Sequence, residues 1–194
     1  MKIMISCFDA STNMAKPWAE NGYTCYCVDL IHPPGNTRDG NIIRVGSDVL
    51  DWLPPNGDIV FASFFPPCTD VAVSGARWFK DKGLGALINA LTLFDRSVKL
   101  AEWTNAPYLI ENPVSTISTY WRKPDYKFNP CDFGDPYTKE TWLWTNNAFI
   151  MPEDDFVLPI ENSKMHKISP SKWRASERSE TPLGFAYAVY EANN

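Results

Sequence analysis

The chain has 194 residues, with 18 Lys and Arg against 23 Asp and Glu and a formal net charge of −5. That length fits a single domain, residues 1–194, with a full hydrophobic core. The acid excess argues against an extended grip on duplex nucleic acid, which relies on Lys and Arg neutralising phosphates. The five cysteines, an odd number, suggest no secreted disulfide framework. No run of about 18 apolar residues and no charged-then-apolar leader is present, so a cytoplasmic protein is expected.

Residues 2–8 read as a first strand, followed by a turn at 9–13 that caps a helix over 14–21, with Gly22 as its stop. Residues 23–28 alternate like a second strand and end at Asp29, about 20 residues beyond Asp9. An acid at that place is where nucleotide-binding sheets receive a ribose hydroxyl pair. Residues 42–45 form a short third strand that runs into Asp48 and Val49. The apolar run 58–64 leads to Phe65-Pro66-Pro67-Cys68, and a second strand-like run, 107–110, leads to Glu111-Asn112-Pro113.

Between these two motifs, Leu84, Leu87, Leu91, Phe94, Val98 and Ala101 recur at three- and four-residue spacing, which predicts a helix over 83–104. A last helix is expected over 181–193. The segments 115–137 and 146–172, rich in Pro, aromatics and charge, read as inserts that serve as a lid or a nucleic-acid-contacting loop. Together these elements predict an α/β fold: a doubly wound, mostly parallel, Rossmann-like sheet with helices on both faces. Both motifs then lie at the carboxyl ends of neighbouring parallel strands, the edge where such sheets bind ligands.

A thiol and a carboxyl brought together there suit one chemistry. Cytosine is a weak electrophile at C6 and no nucleophile at C5. A thiolate adding at C6 makes C5 behave like an enamine carbon, able to attack a methyl donor. Cysteine is the residue for the addition. A Glu kept protonated by a tight site is suited to hold N3 while the addition proceeds.

On Pro67-Cys68 and Glu111-Asn112 the chain resembles the cytosine-C5 DNA methyltransferases, in a short form typical of phage genomes. The resemblance implies a class I methyltransferase core, S-adenosylmethionine as methyl donor, Cys68 as nucleophile and Glu111 as the acid at N3. It implies cofactor contacts from Phe8, Asp9, Ala10, Ser11, Thr12, Asn13, Asp29, Asp48, Val49 and Phe65. Substrate contacts fall on Pro66, Pro67, Asn112, Pro113 and Lys139, the last within Thr138-Lys-Glu-Thr-Trp-Leu-Trp144, which is similar to a late strand whose basic residues hold the flipped base. Residues 177–186 occupy the place of the family's last cofactor motif. The chain departs from the family in a first loop without glycine and in Thr69, where Gln is usual.

No segment is long enough for a separate target-recognition domain, so a loosely specified or single-stranded DNA target is expected. Basic residues interleaved with aromatics suit such a strand. Arg77, nine residues after Cys68, is expected to touch it, beside Lys80 and Lys82. A second basic stretch runs over 164–178. The same chemistry on RNA or a free nucleotide, and a binding protein that retains the fold without turnover, are the competing readings. An amino-group methyltransferase also uses a Pro-Pro loop but follows it with an aromatic and needs no thiol. Cys25 and Cys27 share a strand face without zinc-site spacing, Cys7 and Cys131 read as core residues, and the two histidines, His32 and His166, are too scattered to argue a metal.

Overall fold

The computed structural model describes residues 1–160 and 180–194. An eight-stranded mixed sheet organises them: β1 (Lys2–Cys7), β2 (Thr24–Val28), β3 (Gly35–Asp39), β4 (Ile42–Gly46), β5 (Asp58–Phe64), β6 (Tyr108–Pro113), β7 (Tyr126–Phe128) and β8 (Thr141–Thr145). Their spatial order is β3-β4-β2-β1-β5-β6-β8-β7. The central five, β4, β2, β1, β5 and β6, are mutually parallel. β3 and β8 run antiparallel to their inner neighbours, β4 and β6. From β1 the chain steps outward through β2 to β4, then crosses to the other side for β5 and β6, so the strand order reverses between β1 and β5.

Parallel central strands are buried on both faces, and β1 shows how its sequence allows this. Ile3, Ile5 and Cys7 join one core with Val28, Ala62, Phe64, Tyr108, Ile110 and Trp144, while Met4 joins the other with Cys25, Cys27, Phe61 and Leu109. Alternation with period two sorts each strand between the faces. Each large apolar side chain buried this way contributes about 1.5–3 kcal/mol. Cys25 and Cys27 do share a face, and it is a packed one.

One face is covered by α2 (Phe79–Thr104), whose Ala90, Phe94, Leu100 and Ala101 are buried. The expected stripe is thus the packing face, although Leu84 is exposed. A 3-10 turn, Val73–Trp78, precedes the helix. The regular helix effectively starts at Gly83, where φ 75° and ψ 178° break it from the turn at 79–82, a conformation essentially restricted to glycine. Asn105 closes its far end in the left-handed region, φ 53°.

The opposite face carries α1 (Lys16–Glu20) and α4 (Leu183–Asn193); α3 (Ile117–Tyr120), a single turn after β6, buries Ile117 on the α2 side. Trp18 stacks on Phe61 with ring centroids 4.9 Å apart, and Tyr190 of α4 meets it edge-on at 5.1 Å. α1 is shorter than the expected 14–21 helix because residues 13–15 form turns, and Gly22 follows it at φ 87°. Gly184 lets α4 lie directly against the Phe133 carbonyl, which a Cβ there would meet at 1.7 Å.

Two strands were not expected: β3, exposed throughout, and β7. Segment 115–137 is accordingly no loose insert. It supplies α3, β7 and the buried Phe128 and Phe133. Among the described residues no helix is long and apolar enough to cross a membrane.

Candidate active site

The two motifs meet through the β5/β6 register. Ala62, Ser63 and Phe64 pair with Tyr108, Leu109 and Ile110. One step further, Asn112 Nδ2 donates to the Pro66 carbonyl at 3.1 Å. Glu111 therefore sits beside Phe65 at the sheet's carboxyl edge, with Cys68 two residues beyond the Asn112 tie. The Glu-Asn-Pro motif lies inside β6 rather than after it, because β8 pairs with residues 109–113 from the far side.

The loop bearing Cys68 is held at its other end as well. Val71 and Ala72 N–H groups donate to the Cys68 carbonyl at 3.1 and 2.8 Å. Val73 N–H donates to the Val114 carbonyl, Thr116 N–H to the Val71 carbonyl, and Ala72 forms a bridge with Ser115. Lys82 Nζ reaches the Thr69 carbonyl at 3.0 Å and Asp70 Oδ1 at 2.6 Å. Lys82 is thus a brace within the loop, and not part of a basic patch with Arg77 and Lys80.

Cys68 is the one half-buried cysteine of the five. Burial raises the other four thiols: Cys25 is pushed up to about 12, and Cys7, Cys27 and Cys131 also rise. A thiol held protonated is a poor nucleophile, so those four are inert core residues at neutral pH.

Glu111 has a neighbour from the late strand. Lys139 Nζ stands 3.7 Å from Glu111 Oε1, with side-chain exposures of 12% and 15%. That separation is an ion pair and too long for a hydrogen bond, and Glu111 has no hydrogen-bond partner among the described residues. Both side chains line a pocket with Phe65, Phe128, Thr141, Glu180, Thr181, Pro182 and Phe185. The aromatic walls are Phe65, Phe128 and Phe185, distant in sequence, and Phe128 stacks on Phe185 at 4.1 Å. Thr141 and Phe128 were not foreseen here, since only the antiparallel β7/β8 pairing brings them to this edge.

The first loop does without glycine by placing two ordinary residues in the left-handed region, Phe8 and Thr12, each at φ 60°. Such positions cost energy and persist where the surroundings over-determine them. Asp9 is that determinant. It is buried, accepting from Ser6 Oγ at 2.7 Å and Ser11 Oγ at 2.9 Å, and Ser63 Oγ continues the chain to Ser6. Burial raises its pKa, against the lowering effect of the bonds from Ser6, Ser11 and the Thr12 backbone. Asn13 is engaged too, donating to the Thr181 carbonyl and accepting from Lys16. Ala10 and Ser11 are half-buried.

Asp29 and Asp48 end β2 and the β4 turn. Each spends one carboxylate oxygen on its own turn, Oδ1 accepting from the N–H of Ile31 and Leu50 respectively, both at 2.9 Å. Arg96 of α2 steadies the second turn through the Val49 and Trp52 carbonyls. Val49 is buried in the α2-side core. Pro66 is buried, Pro67 exposed and Pro113 half-buried. Arg77 lies exposed on the 3-10 turn, and the 164–178 basic stretch lies outside the described residues. No protein-family model matches the chain, and no curated protein matches its sequence.

Proposed function

We propose that the protein transfers a methyl group from S-adenosylmethionine to C5 of cytosine in DNA through a covalent Cys68 adduct. The observation that carries this reading is the Asn112–Pro66 bond extending the β5/β6 register, which tethers the thiol's loop beside Glu111 on one edge. The reversal of strand order between β1 and β5 supports a doubly wound, Rossmann-like methyltransferase core, since ligands of such sheets lie over that crevice.

The donor set suits the cofactor. Asp29 and Asp48 each keep one carboxylate oxygen unengaged by their own turns, acceptors fit for a ribose hydroxyl pair and an adenine amino group. Phe8, Ala10, Val49 and Phe65 supply apolar contact, and Asp9 shapes the loop from inside. When bound, S-adenosylmethionine supplies an electrophilic methyl group and leaves as its demethylated thioether.

The chain's residues do the rest. Cys68 Sγ bonds to cytosine C6 as Glu111 gives hydrogen-bond support at N3, so charge does not accumulate on the ring. C5 takes the methyl group, then loses its proton to water, and the Sγ–C6 bond breaks to return the thiolate and restore the aromatic ring. Lys139 offers a donor to the base beside Glu111, and Pro66, Pro67 and Pro113 wall the approach.

The test is DNA carrying 5-fluorocytosine, whose fluorine blocks loss of the C5 substituent and traps the adduct for mass measurement. A trapped adduct is expected in the native protein, in Cys25→Ser and in Cys131→Ser, and none in Cys68→Ser. An adduct surviving Cys68→Ser removes the assignment. RNA or a free nucleotide trapping better than DNA changes the substrate and keeps the chemistry.

A second reading, binding without turnover, draws on the first loop, where Asp9, Ser11 and Asn13 bond to one another and to Thr181. Calorimetry with the donor and its demethylated product separates the two: binding weakened by Asp29→Ala supports the enzyme, and no binding at all supports the relic.

A further inference from the structure

The short 3-10 turn after the Cys68 loop presents Trp78 to solvent at 51% exposure, with the Arg77 guanidinium 4.9 Å from its ring centroid. Four other tryptophans are buried or packed against a core; of the exposed ones among the described residues, Trp78 is the one that directly follows the Cys68 loop. Val73, on the same turn, and Leu84 and Ile88, further along α2, are also exposed. Arg77 and Lys80 have no acidic partner among the described residues.

We propose that Trp78, backed by Arg77, is a stacking platform for an unpaired nucleobase next to the target cytosine, so the partner is single-stranded nucleic acid. An indole face with a guanidinium alongside offers π-stacking to any base and positive charge to the adjoining phosphate. A base inside a duplex already has both faces stacked and cannot use the platform without being extruded. The Val73–Val114 and Thr116–Val71 backbone bonds attach the start of this turn to the same frame that holds Cys68. A base seated on Trp78 would therefore register the strand against the thiol. An exposed indole with Arg77 against it and Lys80 two residues on, neither cation paired with an acid among the described residues, fits a nucleic-acid strand better than a second copy of this acidic chain.

The inference rests on a nucleic-acid substrate for the site, so its test reads binding and not methyl transfer. The probe is a labelled single-stranded oligodeoxycytidylate of about 15 nucleotides, within the range such grooves occupy, followed by anisotropy and by quenching of tryptophan emission. Trp78→Ala should weaken binding about tenfold, the scale of one lost base stack. Trp78→Phe should recover most of the affinity while losing the largest share of the quenching. Trp103→Ala, an equally exposed indole at the far end of α2, should change nothing. Unaltered affinity in Trp78→Ala, no binding of the strand, equal binding of a duplex of the same length, or concentration-dependent self-association through Trp78 without strand binding would each overturn the platform. Trp78-dependent binding without a 5-fluorocytosine adduct would leave the platform standing and remove the proposed activity. A normal adduct with Trp78-independent binding would do the reverse.

Discussion

In the proposed mechanism Glu111 meets two demands, holding a base and standing beside the Lys139 ammonium. Lys139 Nζ stands 3.7 Å from Glu111 Oε1 without occupying its hydrogen-bonding positions, which leaves the carboxyl free for the proposed contact. Glu111→Gln keeps the shape and removes the proton-donating acid. Turnover should fall by at least ~10²-fold, the lower end of general-acid contributions, with donor affinity unchanged by calorimetry. Near-native turnover would take Glu111 out of the mechanism. Asp9 gives a prediction of a different kind. Burial raises its folded-state pKa above the ordinary 3.8, so the folded protein holds that proton more tightly than the unfolded chain. The associated stability is fully present below the ordinary value and is lost as pH rises through the raised one. Asp9→Asn has no proton to lose. Urea midpoints of the variant relative to the native protein should therefore improve as pH rises from about 4, and a parallel pair of curves would show that Asp9 does not titrate with folding.

The elements that were legible in the sequence are those whose signal is local. The apolar runs of β1, β2, β5 and β6 and the repeat of α2 announce themselves because burial on one or two faces dictates their residue types. β3 could not be seen this way: Gly35-Asn-Thr-Arg-Asp39 is exposed on every residue, and its existence depends wholly on pairing with β4. β7 is three residues long and gains strand geometry only from β8. The neighbour of Glu111 was half-visible, since Lys139 was expected at the base but its approach to the acid arises from a nonlocal antiparallel register. The Gly83 break also lies beyond periodicity, which does not report φ. Gly83→Ala should cost about 1–3 kcal/mol from backbone strain alone, because a Cβ there meets nothing within 4 Å. Gly85→Ala, equally uncrowded but in regular helix, should instead stabilise by about 0.4–1 kcal/mol. Chemical denaturation of the pair checks both signs.

At the scale of the whole molecule, the last helix closes a pocket whose other walls come from the middle of the chain. α4 sends Phe185 into the core beneath β7, where it stacks on Phe128 and meets Phe133 at 5.3 Å, and it also forms a wall beside Glu111. Phe185→Ala should cost about 3–5 kcal/mol, as truncation of a buried aromatic does, measured by urea unfolding. A loss below about 1 kcal/mol would mean that the helix is peripheral to the core. The helix thus has a double stake, in the core and in the pocket wall: the pocket is not complete before α4 docks.

The bonds that lace the Cys68 loop to the segment after β6 have a kinetic consequence. Val73, Thr116 and the Asn112 side chain each span the two segments, so neither can leave the sheet edge alone without breaking the other's bonds. The two should open as one cooperative unit. Amide hydrogens of Val73 and Thr116 should then exchange with deuterium at matched rates, and slow together when a ligand settles on either side. Unequal protection of these two amides would mean that the thiol's loop breathes independently of the strand that carries its acid.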